Sequence, residues 1–255
     1  MSLAFVFPGQ GSQSLGMLAA LAAVEPVVEQ TFAEASAVLG YDLWRLCQQG
    51  PEAELGSTEK TQPAMLAAGV AVWRAWRRHE GPRPVAMAGH SLGEYTALVC
   101  SGAIDFAAAV DLVRFRGQVM QQAVPLGQGA MAAILGLEDD ALAAACREAE
   151  QGEVVEPVNF NAPGQVVIAG HASAVARAIE VAKARGAKRA VLLPVSVPSH
   201  SRLMLGAAER LAERLASVDV QMPNVAAVYT VDVRTHMSPD GIRQALKEQL
   251  FKPVR

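Results

Sequence analysis

Ser91 lies in Gly89-His90-Ser91-Leu92-Gly93, a G-x-S-x-G pentapeptide that follows a short apolar run at 85–88 and precedes a helical pattern at 94–100. Between a strand and a helix this spacing makes a nucleophile elbow. The tight turn strains the backbone at the serine, and a glycine on each side gives the chain room. The hydroxyl is lifted clear of the sheet toward the helix N-terminus, where the Leu92 N–H can stabilise an oxyanion. The plainer alternative is a Gly-rich turn whose serine caps a helix. The flanking strand and helix favour the nucleophile.

A serine hydroxyl at its own pKa is a weak nucleophile and needs a base. The chain has five histidines. His79 ends a polar helix in Arg77-Arg78-His79-Glu80, His171 opens a helix, and His236 lies in a polar loop. His90 adjoins the serine, but its ring is expected to point away across the strand-to-turn junction. His200, in Val195-Ser-Val-Pro-Ser-His-Ser201, stands before a helix, where α/β proteins build their sites. It is either a structural histidine or the base. A hydrolase triad wants an acid between serine and histidine in the chain. Asp105 and Asp111 fall in helical patterns, and Asp139 and Asp140 lie in a separate segment, none at a convincing loop. A dyad whose imidazole is oriented by a backbone carbonyl fits better.

Arg116 belongs to a helical pattern running from Asp105 to about residue 124. A step of about 100° per residue gathers Phe106, Ala109, Val110, Leu112, Val113, Val119 and Met120 on one apolar arc, and Arg116 falls inside it. A guanidinium keeps its proton, so a buried one needs an anion. It forms either a structural salt bridge or a bidentate clamp for a substrate carboxylate. At the N-terminus, Pro8-Gly-Gln-Gly-Ser-Gln13 follows an apolar run. Ser14 stands where G-x-G-x-x-G requires its third glycine, so a phosphate cradle is a poor fit. A loop whose Gln10 amide supplies the second oxyanion donor reads better.

The elements that must position these residues follow from periodicity. A strand at 3–7 is closed by Pro8-Gly9, helices run over 23–39, with Gly40 as the stop, and 61–79, and a strand over 85–88 leads into the elbow. Asp105 caps a helix that Pro125 ends. From Gly129 to Val195 the order is a strand at 130–135, a helix at 139–150 and a strand at 154–159. A turn at Asn161-Ala-Pro-Gly164 leads to a strand at 165–169, a helix at 172–185 and a strand at 188–193. That βαββαβ order is the split-βαβ, ferredoxin-like pattern, flanked by turn residues as an insertion is. A helix at 202–216, a strand near 225–230 and a helix at 239–251 follow.

The chain of 255 residues is 51% apolar and 18% charged, which suits one large domain, or one carrying an inserted smaller one, and argues against disorder. A net charge of −3 points to neither nucleic acid nor an anionic membrane. Cys47, Cys100 and Cys146 are far apart and form no CxxC, so no disulfide framework or zinc site is expected and a reduced, cytoplasmic setting fits. No basic segment precedes the first apolar run, so it is not read as a signal peptide, and the run at 64–73 is too short to span a bilayer.

Taken together the sequence resembles the malonyl-CoA:acyl carrier protein transacylases of fatty acid synthesis and, less closely, the acyltransferase domains of polyketide synthases. The likeness rests on Phe7-Pro-Gly-Gln-Gly-Ser-Gln13, Gly89-His-Ser-Leu-Gly-Glu-Tyr95, Arg114-Phe-Arg-Gly-Gln118 and Gly129-Ala-Met-Ala-Ala133. It continues through Asn159-Phe-Asn-Ala-Pro-Gly-Gln165, Val197-Pro-Ser-His200 and Gln249-Leu-Phe-Lys-Pro253, and covers the chain in order.

The resemblance implies that Ser91 carries the malonyl ester, that His200 is its base and later acid, and that the amides of Gln10 and Leu92 form the oxyanion hole. Arg116 binds the malonyl carboxylate, and the Gln249 carbonyl holds the other nitrogen of His200. Met120 and Asn161 line the pocket. It implies an α/β-hydrolase-like catalytic domain at 1–125 and 198–255 and a ferredoxin-like subdomain at 126–197. No cofactor is bound; malonyl-CoA and the phosphopantetheine of acyl carrier protein are the substrates, and the chain is expected to be a monomer. Acyl carrier proteins are acidic, so docking falls to a local basic patch at Lys183, Arg185, Lys188 and Arg189, with Arg74, Arg77 and Arg78 as a second basic run. Family members continue beyond the position of Arg255 with a further strand, a helix and a Gly-Pro-Gly turn, so the large domain is expected to be shortened here. Three rival readings stand beside this one: a serine hydrolase with water as acceptor, an acyltransferase for another extender unit or for polyketide synthesis, and a non-enzymatic carrier-protein-binding module.

Overall fold

The computed structural model describes residues 2–195 and 197–255; Ser196, in the expected boundary segment, lies outside them. In chain order the elements are β1 (Ala4–Phe7), α1 (Ala19–Ala22), α2 (Val27–Leu39), α3 (Leu43–Gln49), α4 (Glu52–Leu55), α5 (Thr58–Arg78), β2 (Ala86–Gly89), α6 (Gly93–Cys100) and α7 (Phe106–Gln122). There follow β3 (Gly129–Leu135), α8 (Asp139–Glu150), β4 (Val155–Ala162), β5 (Gln165–His171), α9 (Ala172–Ala184), β6 (Arg189–Leu192), α10 (Leu205–Ala216), β7 (Ala226–Val228) and α11 (Pro239–Gln249). The described chain divides into two compact units. One comprises the residues up to Gln118 with Arg214–Arg243, the other Val119–Glu213 with Gln244–Arg255.

In the first unit β1, β2 and β7 form a parallel sheet in the order β1-β2-β7, with Val6 opposite Ala88 and Ala88 opposite Val228. Phe5 sets its ring against Trp73 and Trp76 of α5, at centroid distances of 5.3 and 5.5 Å. Gly69 lets α5 approach α6: a Cβ there would stand 2.5 Å from the Thr96 methyl. Because the sheet is parallel, the C-terminal ends of its strands open at one end, where α/β proteins bind ligands. There the loops after Phe7, Gly89 and Val228 begin.

In the second unit four antiparallel strands take the order β4-β5-β3-β6. The helices α8 and α9 cover it through Leu142, Cys146, Ala149, Val175, Ala178 and Ala182, which pack with Ala132, Ile134 and Ile168. The second face carries a smaller cluster of Met131, Val158, Val167 and Ala169.

Several sequence expectations differ from what is observed. The helix expected from residue 23 begins at Val27, after Pro26, and α1 precedes it as a separate turn. The helices α3 and α4 were not anticipated, although Asp42 caps α3 by accepting the Arg45 N–H at 2.9 Å. α5 starts at Thr58 rather than 61 and carries Pro63 within it. α11 stops at Gln249 rather than 251. Backbone bonds from Phe160 N–H to the Val254 carbonyl (2.9 Å) and from Val254 N–H to the Val158 carbonyl (2.8 Å) tie the chain end to β4 and so to the second unit.

Candidate active site

The elbow is built by three close approaches of backbone to backbone. A Cβ at Gly89 would stand 1.9 Å from the Gly93 carbonyl carbon, and one at Gly93 would stand 2.2 Å from the Phe7 carbonyl oxygen. One at Gly9 would stand 2.5 Å from the His90 carbonyl oxygen. Only glycine fits at these contacts, which explains both glycines of the pentapeptide and the first glycine of the loop holding Gln10. The His90 N–H donates to the Phe7 carbonyl at 2.9 Å, locking β1 to the turn. The His90 ring lies beside Gly9.

Ser91 has φ 53°, in the left-handed region that a residue with a Cβ occupies at a cost. Leu92 is the N-cap of α6, and the N–H groups of Gly93, Glu94 and Tyr95 that follow it donate to the carbonyls of His90, Ser91 and Leu92 at 2.9, 3.1 and 3.0 Å. The Gln10 side chain donates to Thr58 Oγ1 at 3.3 Å.

Arg116 follows the expected arc: Phe106, Ala109, Val110, Leu112, Val113, Val119 and Met120 are buried, and Arg116 is 1% exposed. Gly117 lets α7 approach α5, since a Cβ there would stand 2.7 Å from the Glu59 Cα. The guanidinium donates from Nη1 to Gln62 Oε1 at 2.9 Å and from Nη2 to Ser91 Oγ at 3.0 Å. It lies 5.5 Å from the Tyr95 ring centroid. Burial pulls its pKa down, opposed by Tyr95 and Glu94. Burial likewise pushes the Tyr95 phenol up to about 12. A cation is thus fixed beside the serine oxygen.

Glu94, in the first turn of α6, is 2% exposed, and its Oε1 accepts the Thr230 N–H at 2.6 Å. Asp105 behaves as read, capping α7 by accepting the Ala108 N–H at 3.1 Å.

The second unit holds His200, which is 3% exposed and has φ 64°. Its N–H donates to the Leu250 carbonyl at 2.9 Å, and Nδ1 lies 2.6 Å from the Gln249 carbonyl oxygen. A carbonyl only accepts, so Nδ1 carries a proton in this contact. Gln249 ends α11, and the residue four further on is Pro253, which has no N–H to give its carbonyl. The helix end is therefore built to receive the imidazole. Met120 is buried on α7, and Asn161 is exposed at the end of β4.

The other histidines take structural partners: His79 Nε2 contacts the Glu25 carboxylate, His171 Nδ1 accepts the Val154 N–H at 2.9 Å, and His236 lies 3.2 Å from Asp232. In the basic patch, Lys183 pairs with Glu180 at 2.8 Å and Arg185 with Glu148 at 2.6 Å. Among the described residues there is no group of three or more His, Cys, Asp or Glu side chains placed to hold a metal ion.

Gln62, Tyr95, Glu94 and Thr230 escaped the sequence reading. Gln62 and Glu94 are buried polar residues in helices, and nothing in their spacing says which partner they meet across the fold.

A serine on a strained turn, the glycines that admit the turn and a buried arginine beside the hydroxyl thus stand together at one place in the fold. The profile of the acyl transferase domain matches residues 4–255, and the chain belongs to that family. It is 62% identical over 252 residues to the malonyl CoA-acyl carrier protein transacylase of Escherichia coli (strain K12), covering 99% of this chain and 82% of that protein. The crystal structure of an acyl carrier protein S-malonyltransferase from Vibrio cholerae matches with a TM-score of 0.97 at 59% identity, over 100% of this chain and 83% of that one. A malonyl-transacylase in complex with a type II polyketide acyl carrier protein matches with a TM-score of 0.99 at 59% identity, over 100% of this chain and 82% of that one.

Proposed function

We infer that the protein moves a malonyl group from malonyl-CoA to the phosphopantetheine thiol of an acyl carrier protein, through a malonyl ester on Ser91, and so supplies fatty acid elongation. The observation that carries this reading is the buried Arg116, 3.0 Å from Ser91 Oγ. A fixed guanidinium beside a nucleophile selects an acyl group that ends in a carboxylate. The donor and acceptor named for the E. coli relative and the carrier-protein complex support the same substrates.

Ser91 Oγ attacks the thioester carbonyl while His200 Nε2 takes the hydroxyl proton. The developing oxyanion is held by the amides of Gln10 and Leu92, each such donor contributing about 3–4 kcal/mol in the transition state. The intermediate collapses, the carbon–sulfur bond breaks, and coenzyme A leaves with the proton from His200. The phosphopantetheine thiol then gives its proton to His200 and attacks the ester. Ser91 leaves as the alkoxide and recovers the proton, completing a ping-pong cycle. The Gln249 carbonyl keeps the imidazole in one tautomer and stabilises the imidazolium, the part an acid plays in a triad. Met120 and Asn161 line the acyl pocket.

The architecture we assign is an α/β-hydrolase-like catalytic domain, 1–125 with 198–255, and a ferredoxin-like insertion at 126–197. The strand order β4-β5-β3-β6 in a βαββαβ sequence supports the insertion. Carrier docking falls to Lys188 and Arg189, with Lys183 and Arg185 beside them already engaged by carboxylates. The enzyme acts as a cytoplasmic monomer without a bound cofactor.

An intact mass spectrum after mixing with malonyl-CoA and quenching in acid tests the reading. A malonyl adduct on the parent that is absent from Ser91→Ala is expected. A folded parent that takes no adduct overturns it.

A further inference from the structure

Just past His200, Ser201 is the N-cap of a 3₁₀ turn at Arg202–Met204 that leads into α10, yet it makes no side-chain cap bond. Its hydroxyl turns back and donates to the Pro198 carbonyl at 2.7 Å. The first N–H of the turn, on Arg202, goes instead to Glu156 Oε1 at 2.5 Å, a carboxylate that reaches across from β4. A carboxylate suits that place, because the N–H groups at a helix start lack intrahelical acceptors. The Arg202 side chain is held as well: Nη2 donates at 2.6 Å to Oε1 of Glu150, at the end of α8. Two elements of the second unit thus anchor the chain two residues beyond the histidine.

His200 has φ 64°, and a residue with a Cβ stays in that region only where its neighbours over-determine it. Its N–H on the Leu250 carbonyl and its Nδ1 on the Gln249 carbonyl tie it to the end of α11. On the downstream side the anchor is Glu156. We propose that Glu156 is a positioning residue for the base: by taking the Arg202 N–H it locks the turn at 199–202 so that the His200 Nδ1–H stays on the Gln249 carbonyl. The inference rests on the reading above in taking His200 as the base. The side chains of Glu156, Glu150 and Arg202 are 28, 33 and 49% exposed, so solvent screens their ion pairs and these add little to stability. What Glu156 supplies is direction, through a bond to the backbone itself. A catalytic group displaced by about 1 Å loses on the order of a hundredfold in rate. The loss of Glu156 should therefore appear in the rate and not in the fold.

Glu156→Ala removes the acceptor, whereas Glu156→Gln keeps an oxygen for the Arg202 N–H and drops only the charge. Single-turnover acylation of Ser91 at saturating malonyl-CoA, read by mass spectrometry after an acid quench, should slow by about ten- to a hundredfold in Glu156→Ala. The malonyl-CoA concentration for half-maximal rate should stay within about twofold, because Arg116 is untouched. Glu156→Gln should recover the parent rate to within about threefold. Proton NMR gives a readout that a merely structural role would not move. The hydrogen-bonded His200 Nδ1–H resonance, assigned by its absence from His200→Ala, should shift in Glu156→Ala and return in Glu156→Gln. Both Glu156 variants should melt within about 2 °C of the parent. If Glu156→Ala does not fold, Glu156→Val, whose branched side chain suits a strand, carries the same expectations. An acceptor-free variant with either the parent rate or an unshifted resonance overturns the proposal, and so does a loss that Glu156→Gln fails to recover. A parent enzyme that takes no malonyl adduct on Ser91 would instead remove the malonyl reading, while the resonance, which needs no substrate, still decides how the histidine is held.

Discussion

Replacing Arg116 by methionine removes the charge while keeping most of the buried volume, so the substitution isolates what the guanidinium does. Arg116 is 1% exposed and donates to Gln62 Oε1 and Ser91 Oγ at 2.9 and 3.0 Å. In the acyl-enzyme a carboxylate would take these donors as a bidentate, charge-assisted pair. Two hydrogen bonds to a charged group contribute about 1.5–3 kcal/mol each, and stranding one member of a buried pair costs about 3–5 kcal/mol. At about 1.4 kcal/mol per factor of ten, the loss in kcat/KM for malonyl-CoA should lie between roughly a hundredfold and several thousandfold. Acetyl-CoA makes no use of the charge, so its kcat/KM should hold or rise. The assay is a competition between the two thioesters, followed by acyl-carrier product, with a thermal melt to show that the variant folds. A folded Arg116→Met enzyme that still prefers malonyl over acetyl by the parent's margin would refute the assignment of Arg116 as the carboxylate clamp.

Three further outcomes follow from the geometry. Gly93→Ala would drive a Cβ to 2.2 Å from the Phe7 carbonyl oxygen. Strand β1 must then part from α6, at about 1–3 kcal/mol and a melting temperature lower by roughly 2–10 °C, read by calorimetry. Ser91→Gly and Ser91→Ala both lose the hydroxyl, but only glycine tolerates φ 53° freely, so the glycine variant should unfold at higher denaturant, by about 1 kcal/mol. Burial pushes the Cys47 and Cys146 thiols up to about 12 and Cys100 higher still. The native protein should therefore leave a thiol reagent unreacted at pH 8, and the unfolded chain should consume three equivalents, matching its three cysteines. The folded thiols keep protons that unfolded thiols lose, so stability should decline as pH rises above about 9; a denaturant midpoint that is flat from pH 8 to 11 would contradict this.

The parts legible in the sequence are those whose spacing alone fixes geometry. Glycines two residues either side of Ser91 announce a turn that only glycine can line, and the arc of Phe106, Val110, Val113 and Met120 places Arg116 on a buried face before any coordinates are known. Asp105 and Gly40 mark the ends of helices, because a cap satisfies backbone groups locally. What was not legible depends on residues brought together over long stretches of chain. Gln62 meets Arg116 across 54 positions, and Glu94 meets Thr230 across 136. No periodicity encodes such pairs. The short helices α3 and α4 went unseen because a single turn or two shows no repeating face. The hold of Gln249 on His200 entered only through the family resemblance. Yet Pro253 was a physical signal for it: it shortens α11 and deprives the Gln249 carbonyl of its helical donor.

The central claim is that Ser91 carries a malonyl group on its way to a carrier-protein thiol. It is tested most directly by preparing the malonyl-enzyme, removing coenzyme A by rapid gel filtration, and adding acyl carrier protein bearing its phosphopantetheine arm. Mass spectra of both proteins are then followed with time. The account predicts that the malonyl mass leaves the enzyme and appears on the carrier, with little loss to water, and that Ser91→Ala never acquires it. An adduct that hydrolyses at the same rate with or without the carrier would contradict the claim and make the protein a hydrolase.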